Sequence, residues 1–410
     1  MASIFHVALP DFDASSWLIP RLIISTTAAL LLWRPMPLMF VCNAIAHLIT
    51  LFWLRDVLTQ SVLLLVFALV GALVAYRWNP DRLKTIAWMT ATTYLVAALH
   101  KLNTGFLNPE ISCSVHAVAQ VADRWDMDVP VFFNDYFPVL TIALELGVGL
   151  ALMMRSRWYW ALAFIFHLPL VVTLAPAFGA VVLCGASAAT TPKELVFLRS
   201  FWRRRWGVVV VCSLLAVIAE WSRTAVFLSL WQHLQVGWYA ALCFMLFRAN
   251  DSSRQTRNRR LGYLSWGWLL FCLTPYFGLQ FQHTGAMLSN LRIDPACHNS
   301  LVFSPSLIVE DQYIRLKDVS FGTERWARRQ RVLQDGLWNE AALVTMKRNW
   351  CVPWARPISM TVTYLDRDFR IADLCQDGSL SFFSPVQDLF SGYQRFQKNL
   401  TLRCQQRCIH

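Results

Sequence analysis

Charged side chains are scarce in this 410-residue chain: Asp, Glu, Lys and Arg together supply 15% of it, against roughly a quarter in ordinary globular domains. With 56% hydrophobic residues, that scarcity excludes a disordered chain and argues against an ordinary water-soluble enzyme. Sixteen glycines are too few for a collagen-like fibre. No Gly-rich phosphate loop, dinucleotide fingerprint or Gly-x-Ser-x-Gly elbow occurs. The nine histidines never fall at His-Glu-x-x-His or His-x-x-x-His spacing, and Cys297-His298 and Cys404-x-x-x-Cys408 are weak zinc patterns, so no metal is expected. Internal repeats and low-complexity tracts are lacking. Asp11 and Asp13 stand where a cleavable leader would carry basic residues.

What the chain has is long apolar runs and 19 tryptophans. A membrane span needs about 17 to 25 mostly apolar residues, and candidates lie at 17–34, 36–54, 59–76, 85–101, 137–154, 158–175, 177–190, 206–222, 225–247 and 261–279. The first, interrupted by Pro20 and Arg21, and the short 177–190 are the weakest, so nine or ten spans are expected. Short basic loops stay cytoplasmic, and ten spans put 77–84, 155–157, 199–205 and 248–260 on one side. The acidic loop 103–136 and everything from 280 onward then face the other side. The sequence thus predicts an all-α polytopic membrane bundle over 1–279, with a small α+β extracytoplasmic C-terminal region over 280–410. The expected location is an inner, cytoplasmic membrane, with Trp158, Trp160, Trp202 and Trp206 as interfacial anchors.

In the C-terminal region, 360–364 alternates like a strand and 376–379 has the composition of a hairpin turn. Residues 323–332 and 337–348 have helical spacing, broken at Asp335-Gly336. Arg325, Arg328, Arg329 and Arg331 make the first of these either a headgroup-facing or a solvated helix. Six cysteines, Cys113, Cys297, Cys351, Cys375, Cys404 and Cys408, fall on the expected outer side. They are either free thiols or disulfides, with fifteen connectivities open. The net charge of +12 resides largely in juxtamembrane loops suited to anionic lipid, so membrane lipids rather than nucleic acid are the expected partners.

Ionisable residues inside apolar runs usually mark a function or a buried pairing. Four stand out: His47, Lys101, Glu145 and His167. Glu145 and His167 are equally distant from Ser156 in the hairpin 137–175, so they should meet at one depth, about 12 Å below the outer helix ends, near the level of His47. The pair reads either as a structural bond that locks the hairpin or as part of a site. Tyr94, Ala97, Ala98 and Lys101 fall at i, i+3, i+4 and i+7 and form one stripe, where the alanines leave room for a flat ring or an acyl chain. Burial disfavours an ammonium ion, which makes a lysine in such a place either a base or a snorkelling cation.

Residues 94–106, YLVAALHKLNTGF, resemble the aromatic-small-hydrophobic-Lys-Leu-Asn motif of the horizontally transferred transmembrane (HTTM) family, which includes the vitamin K-dependent gamma-glutamyl carboxylases. Residues 145–157 and Phe166-His167-Leu168 are similar to its next segments in order, and Gln282-His283-Thr284 with 287–292 (MLSNLR) resembles the Met-Phe-Ser-Asn-Leu-Arg segment of bacterial members. The resemblance extends over about 280 residues only as an order of short motifs. It implies that Lys101 is a base acting on a reduced quinone, that Asn290 and Arg292 belong to the site, and that a secreted peptide is the partner modified. A non-enzymatic, lipid-binding or accessory protein presenting its C-terminal region to a partner is the alternative expectation.

Overall fold

The computed structural model describes residues 36–53, 65–70, 83–154, 158–173, 262–277, 289–293, 297–304, 313–321, 333–338, 357–365, 367–383 and 400–405, with scattered single positions besides. The expected spans 206–222 and 225–247 lie outside the described residues, as do all of 177–190 but Gly185, all of the helix expected at 323–332 but Gln330, and most of 17–34 and 59–76. The chain divides into two compact units. Unit 1 comprises Met1–Leu99 with Ser114–Cys272, and unit 2 comprises His100–Cys113 with Leu273–His410.

The expectation of an all-α polytopic bundle set in an inner membrane is overturned: no helix among the described residues is long and apolar enough to cross a membrane. The reason is visible helix by helix. Helix α1 (Pro37–Trp53) has 17 residues, α5 (Phe137–Met153) has 17 and α6 (Trp158–Thr173) has 16. At 1.5 Å per residue these reach about 25 Å, short of a hydrocarbon core of about 30 Å. Helix α2 (Leu83–His100) has 18 residues but carries Lys84 and the four threonines Thr85, Thr90, Thr92 and Thr93. Helix α7 (Gly262–Leu273) stops after 12 residues, where Thr274-Pro275 leads into the 3₁₀ turn Thr274–Phe277. With the five-stranded sheet of unit 2, the described architecture is α+β.

Unit 1 is held by close helix packing. Helices α5 and α6 turn back around Ser156, whose N–H donates to the Ala151 carbonyl at 2.8 Å, and they bury Val148, Ala151, Leu152, Tyr159, Trp160 and Ala163 with Ala91 and Tyr94 of α2. Met89 and Val96 on another part of α2 pack with Trp268 and Cys272 of α7. The Trp268 indole N–H donates to Thr93 Oγ1 at 3.0 Å, which gives that buried polar atom a partner. Asn43 on α1 ties back to Thr27 Oγ1 and the Ile24 carbonyl in the same way. Helix α4 (Cys113–Trp125) precedes the 3₁₀ turn Val131–Asp135 that leads into α5.

Unit 2 contains the short helix α3 (Thr104–Leu107) and an antiparallel sheet of order β4-β3-β1-β2-β5. Its strands are β1 (Ile314–Ser320), β2 (Gly336–Trp338), β3 (Ser359–Tyr364), β4 (Arg367–Ile371) and β5 (Leu400–Thr401). The alternation of β3 turns Met360, Val362 and Tyr364 to one face, where Ile314, Leu316, Leu343, Ile371 and Leu374 complete an apolar core. A register shift between Lys317 and Ser320 coincides with a left-handed Asp318, the mark of a bulge in β1. The turn expected at 376–379 exists, with Gly378 at φ 77°, but it follows β4 and joins no hairpin among the described residues. The β3–β4 reversal occurs at Leu365 instead. Residues 337 and 338, expected to begin the helix 337–348, belong with Gly336 to strand β2, whereas 343, 344, 346 and 347 are helical.

Disulfides Cys297–Cys404 and Cys351–Cys375 are formed, and Cys113 is disulfide-bonded as well. Among the described residues Cys42 and Cys272 are free thiols.

Candidate functional site

Two segments far apart in sequence, 100–106 and 289–300, interlock in unit 2 around a buried amide cluster. Asn103 is fully buried and uses every face of its side chain. Its Nδ2 donates to the His100 carbonyl at 2.8 Å and to the Ser289 carbonyl at 2.6 Å. Its Oδ1 accepts from Phe106 N–H at 2.7 Å, which caps the first turn of α3, and from Asn299 Nδ2 at 3.2 Å. Asn299 also donates to the Asn290 carbonyl at 2.9 Å, and its Oδ1 accepts from Arg292 N–H at 2.7 Å. Asn290 adopts φ 51°, a left-handed conformation that Asn tolerates, and its side chain holds Cys113 N–H and the Ile111 carbonyl. Gly105 is required by this closeness: a Cβ there would stand 2.9 Å from Asn299 Nδ2 and 3.3 Å from Asn103 Oδ1.

Lys101 directly follows α2 and is 4% exposed. Its Nζ sits 5.7 Å from the centroid of the fully buried Phe106 ring, within reach of a cation–π or amine–ring contact. His100, also fully buried, shares a 2.8 Å hydrogen bond between Nδ1 and the Tyr276 hydroxyl. Burial raises the pKa of that phenol, partly opposed by a hydrogen bond with Ser300, so Tyr276 stays protonated. The Tyr276 ring stacks on Phe303 at 3.9 Å between centroids. Arg292 is buried and clamps β5, with Nη1 donating to the Thr401 carbonyl at 2.9 Å and the Arg403 carbonyl at 2.6 Å. The arrangement presents one amine, one imidazole–phenol pair and flat aromatic surfaces on a rigid amide frame.

Of the residues singled out by sequence, Lys101, Asn290 and Arg292 fall in unit 2, and the amide frame connects the segments that carry them. Tyr94, His47, Glu145 and His167 are buried in unit 1, with Ala98 buried and Ala97 half-buried on α2. The Tyr94 hydroxyl is hydrogen-bonded to His167 Nε2, and the two rings meet edge to face. Burial pushes the His167 imidazole well below its ordinary range, which leaves it neutral. His100, Asn103, Phe106, Ser289, Asn299 and Tyr276 were not among the candidates. For Asn103 and Ser289 the signal was present in the motifs themselves, whereas Asn299 and Tyr276 offer no local pattern. Among the described residues no group of three or more His, Cys, Asp or Glu side chains is placed to hold a metal ion.

Compared with known proteins, the chain matches no family model, no curated protein and no solved structure.

Proposed function

We propose that the chain is an enzyme resembling the carboxylase branch of the HTTM family in its site chemistry, in which Lys101 Nζ accepts a proton from an acidic aromatic hydroxyl during modification of a secreted peptide. One observation carries the reading: the Lys-Leu-Asn and Ser-Asn-Leu-Arg segments are bonded to each other through Asn103, Ser289 and Asn299, and a buried amine stands over an aromatic ring beside that frame. A reduced quinone fits the donor set in kind, because flat apolar rings and one amine are what a hydroxylated ring requires. When bound, it would supply the acidic hydroxyl.

The chain's own groups divide the remaining work. Lys101 takes the proton at Nζ. Phe106 offers an apolar face beneath the amine and keeps bulk water from it. Asn103 and Asn299 fix the loop that holds Lys101, so the amine is positioned before any substrate arrives. In unit 1, the neutral His167 with Tyr94 and the buried Glu145 are assigned a supporting role within that unit.

The test uses the full chain with a reduced naphthoquinone, dioxygen, labelled bicarbonate and a Glu-containing peptide. Oxygen uptake and the mass of the peptide are followed. K101A and K101R are expected to lose at least about a hundredfold of the rate, because neither side chain can serve as the base at neutral pH. Folded K101A with undiminished turnover, or no turnover in the wild type, overturns the reading.

A second reading, a non-enzymatic lipid-binding or accessory protein, is favoured by the exposed stripe Leu38, Val41, Ile45 and Leu48 along α1. It expects bound lipid on the purified protein in equal amount in wild type and K101A, with no peptide chemistry in either.

A further inference from the structure

Residues 123–140 of unit 1 expose apolar side chains where a folded chain would ordinarily bury them. Met127, Val131, Phe132, Phe133, Tyr136, Val139 and Leu140 are all exposed, with Val131 at 79% and Tyr136 at 66%. No residue of the 3₁₀ turn Val131–Asp135 is buried. The backbone is nevertheless well fixed. Met127 N–H closes α4 on the Ala122 carbonyl at 2.9 Å, Asp126 takes φ 50°, and Phe133 and Tyr136 N–H bond to the Pro130 and Phe133 carbonyls at 3.0 Å each. The Phe132 and Phe133 rings lie 4.2 Å apart, tilted by 31°, and Phe133 lies 6.4 Å from Phe137. A rigid aromatic ladder held outward by its own hydrogen bonds is preorganised for contact, since little conformational freedom remains to be lost on binding.

Charge identifies the partner. The same segment carries Asp123, Asp126, Asp128 and Asp135, all exposed, so 123–140 holds four aspartates against one arginine, net −3, on a chain of net charge +12. An anionic lipid surface is repelled by that island. A second copy placed symmetrically on it would set aspartates against aspartates. We infer that this surface docks a peptide segment that combines aliphatic or aromatic side chains with Lys or Arg. This extends the proposed reading, for it supplies the place where the peptide to be modified is recognised.

The experiment is fluorescence anisotropy on the full chain with a labelled amphipathic peptide of about 14 residues built from Leu and Lys, and the same peptide with Glu in place of Lys. The Leu-Lys peptide is expected to bind at least about tenfold more tightly than the Leu-Glu peptide, and more weakly as salt rises. F132S/Y136S should weaken it by about tenfold or more. D126N/D128N/D135N should remove most of the salt dependence while leaving the aromatic ladder in place, and it tests the surface even if the first variant misfolds. Equal affinity for the two peptides, or wild-type affinity in both variants, overturns the inference. So does Phe132-dependent sedimentation with phosphatidylcholine vesicles, or Phe132-dependent dimerisation, in place of peptide binding. Titration of K101A separates this from the enzymatic reading. Unchanged peptide affinity without chemistry in the wild type would retain the surface and remove the reaction.

Discussion

At the scale of single residues, Asn103 and Asp368 show how differently a polar side chain behaves inside and outside the fold. Asn103 is fully buried and its amide satisfies two carbonyls, one backbone N–H and Asn299. Replacing it with Ala removes those bonds and leaves buried groups without their partner, each costing about 1 to 3 kcal/mol. N103A is therefore expected to lose about 3 kcal/mol or more and to speed hydrogen exchange at Phe106 N–H, with urea denaturation and exchange mass spectrometry as the measurements. Asp368 is exposed. Its carboxyl is held below the usual range first by the Thr363 hydroxyl, which donates at 2.6 Å, and then by Lys317. Because the folded-state pKa is depressed, the stabilisation is present above the ordinary carboxylate range and fades as pH falls through the folded value. T363A and K317A should each move the NMR titration midpoint of Asp368 upward. A midpoint unchanged by T363A would show that the hydrogen bond does not matter.

At the scale of elements, helix α5 offers a contrast between two glycines. A Cβ on Gly147 would meet only Leu162 at 3.6 Å, an ordinary contact, whereas one on Gly149 would stand 2.9 Å from Leu95 Cδ2 and 3.2 Å from the Ala91 carbonyl of α2. Alanine gains about 1 kcal/mol of helix propensity over glycine at either place, but overpacking against backbone costs about 1 to 3 kcal/mol. G147A should therefore raise the thermal midpoint and G149A should lower it, and equal shifts would contradict the close approach of α5 to α2. Periodicity made part of this legible. The period of two at 360–364 is strand β3, and the apolar runs at 36–54, 137–154 and 158–175 are helices close to those limits. Strand β2 was missed because three residues hold no period, and it takes its conformation from pairing with β1 and β5. The same runs misled as spans, since hydropathy windows register apolar content and ignore where a helix stops, as α7 does before Pro275.

At the scale of the whole chain, what sequence could not supply is which distant segments meet. Lys101 was legible as an ionisable residue at the end of an apolar run, yet its frame depends on Asn299 and Ser289, nearly two hundred residues away, and no local pattern encodes that contact. The cysteines show the same limit, since six residues left fifteen connectivities open and the fold selects among them. The pairs Cys297–Cys404 and Cys351–Cys375 are separated by 107 and 24 positions in sequence. Chain entropy alone assigns about 4.8 kcal/mol to the longer loop and about 3.5 kcal/mol to the shorter one, by restricting the unfolded ensemble. The longer bridge also ties Cys297, two residues before Asn299, to Cys404, which follows the Thr401 and Arg403 carbonyls that Arg292 holds. Peptide mapping without reductant is expected to recover both pairs, and C297S/C404S should lower the thermal midpoint more than C351S/C375S does. Hydrogen exchange should quicken around residues 289–293 and 297–300 in the first variant and not in the second, because of these two bridges Cys297–Cys404 is the one joined to the segment that carries Asn299. The reverse order of midpoints would mean that packing of Cys375 against the sheet core outweighs loop length, and unchanged exchange in C297S/C404S would mean that the frame around Lys101 holds without this covalent tie.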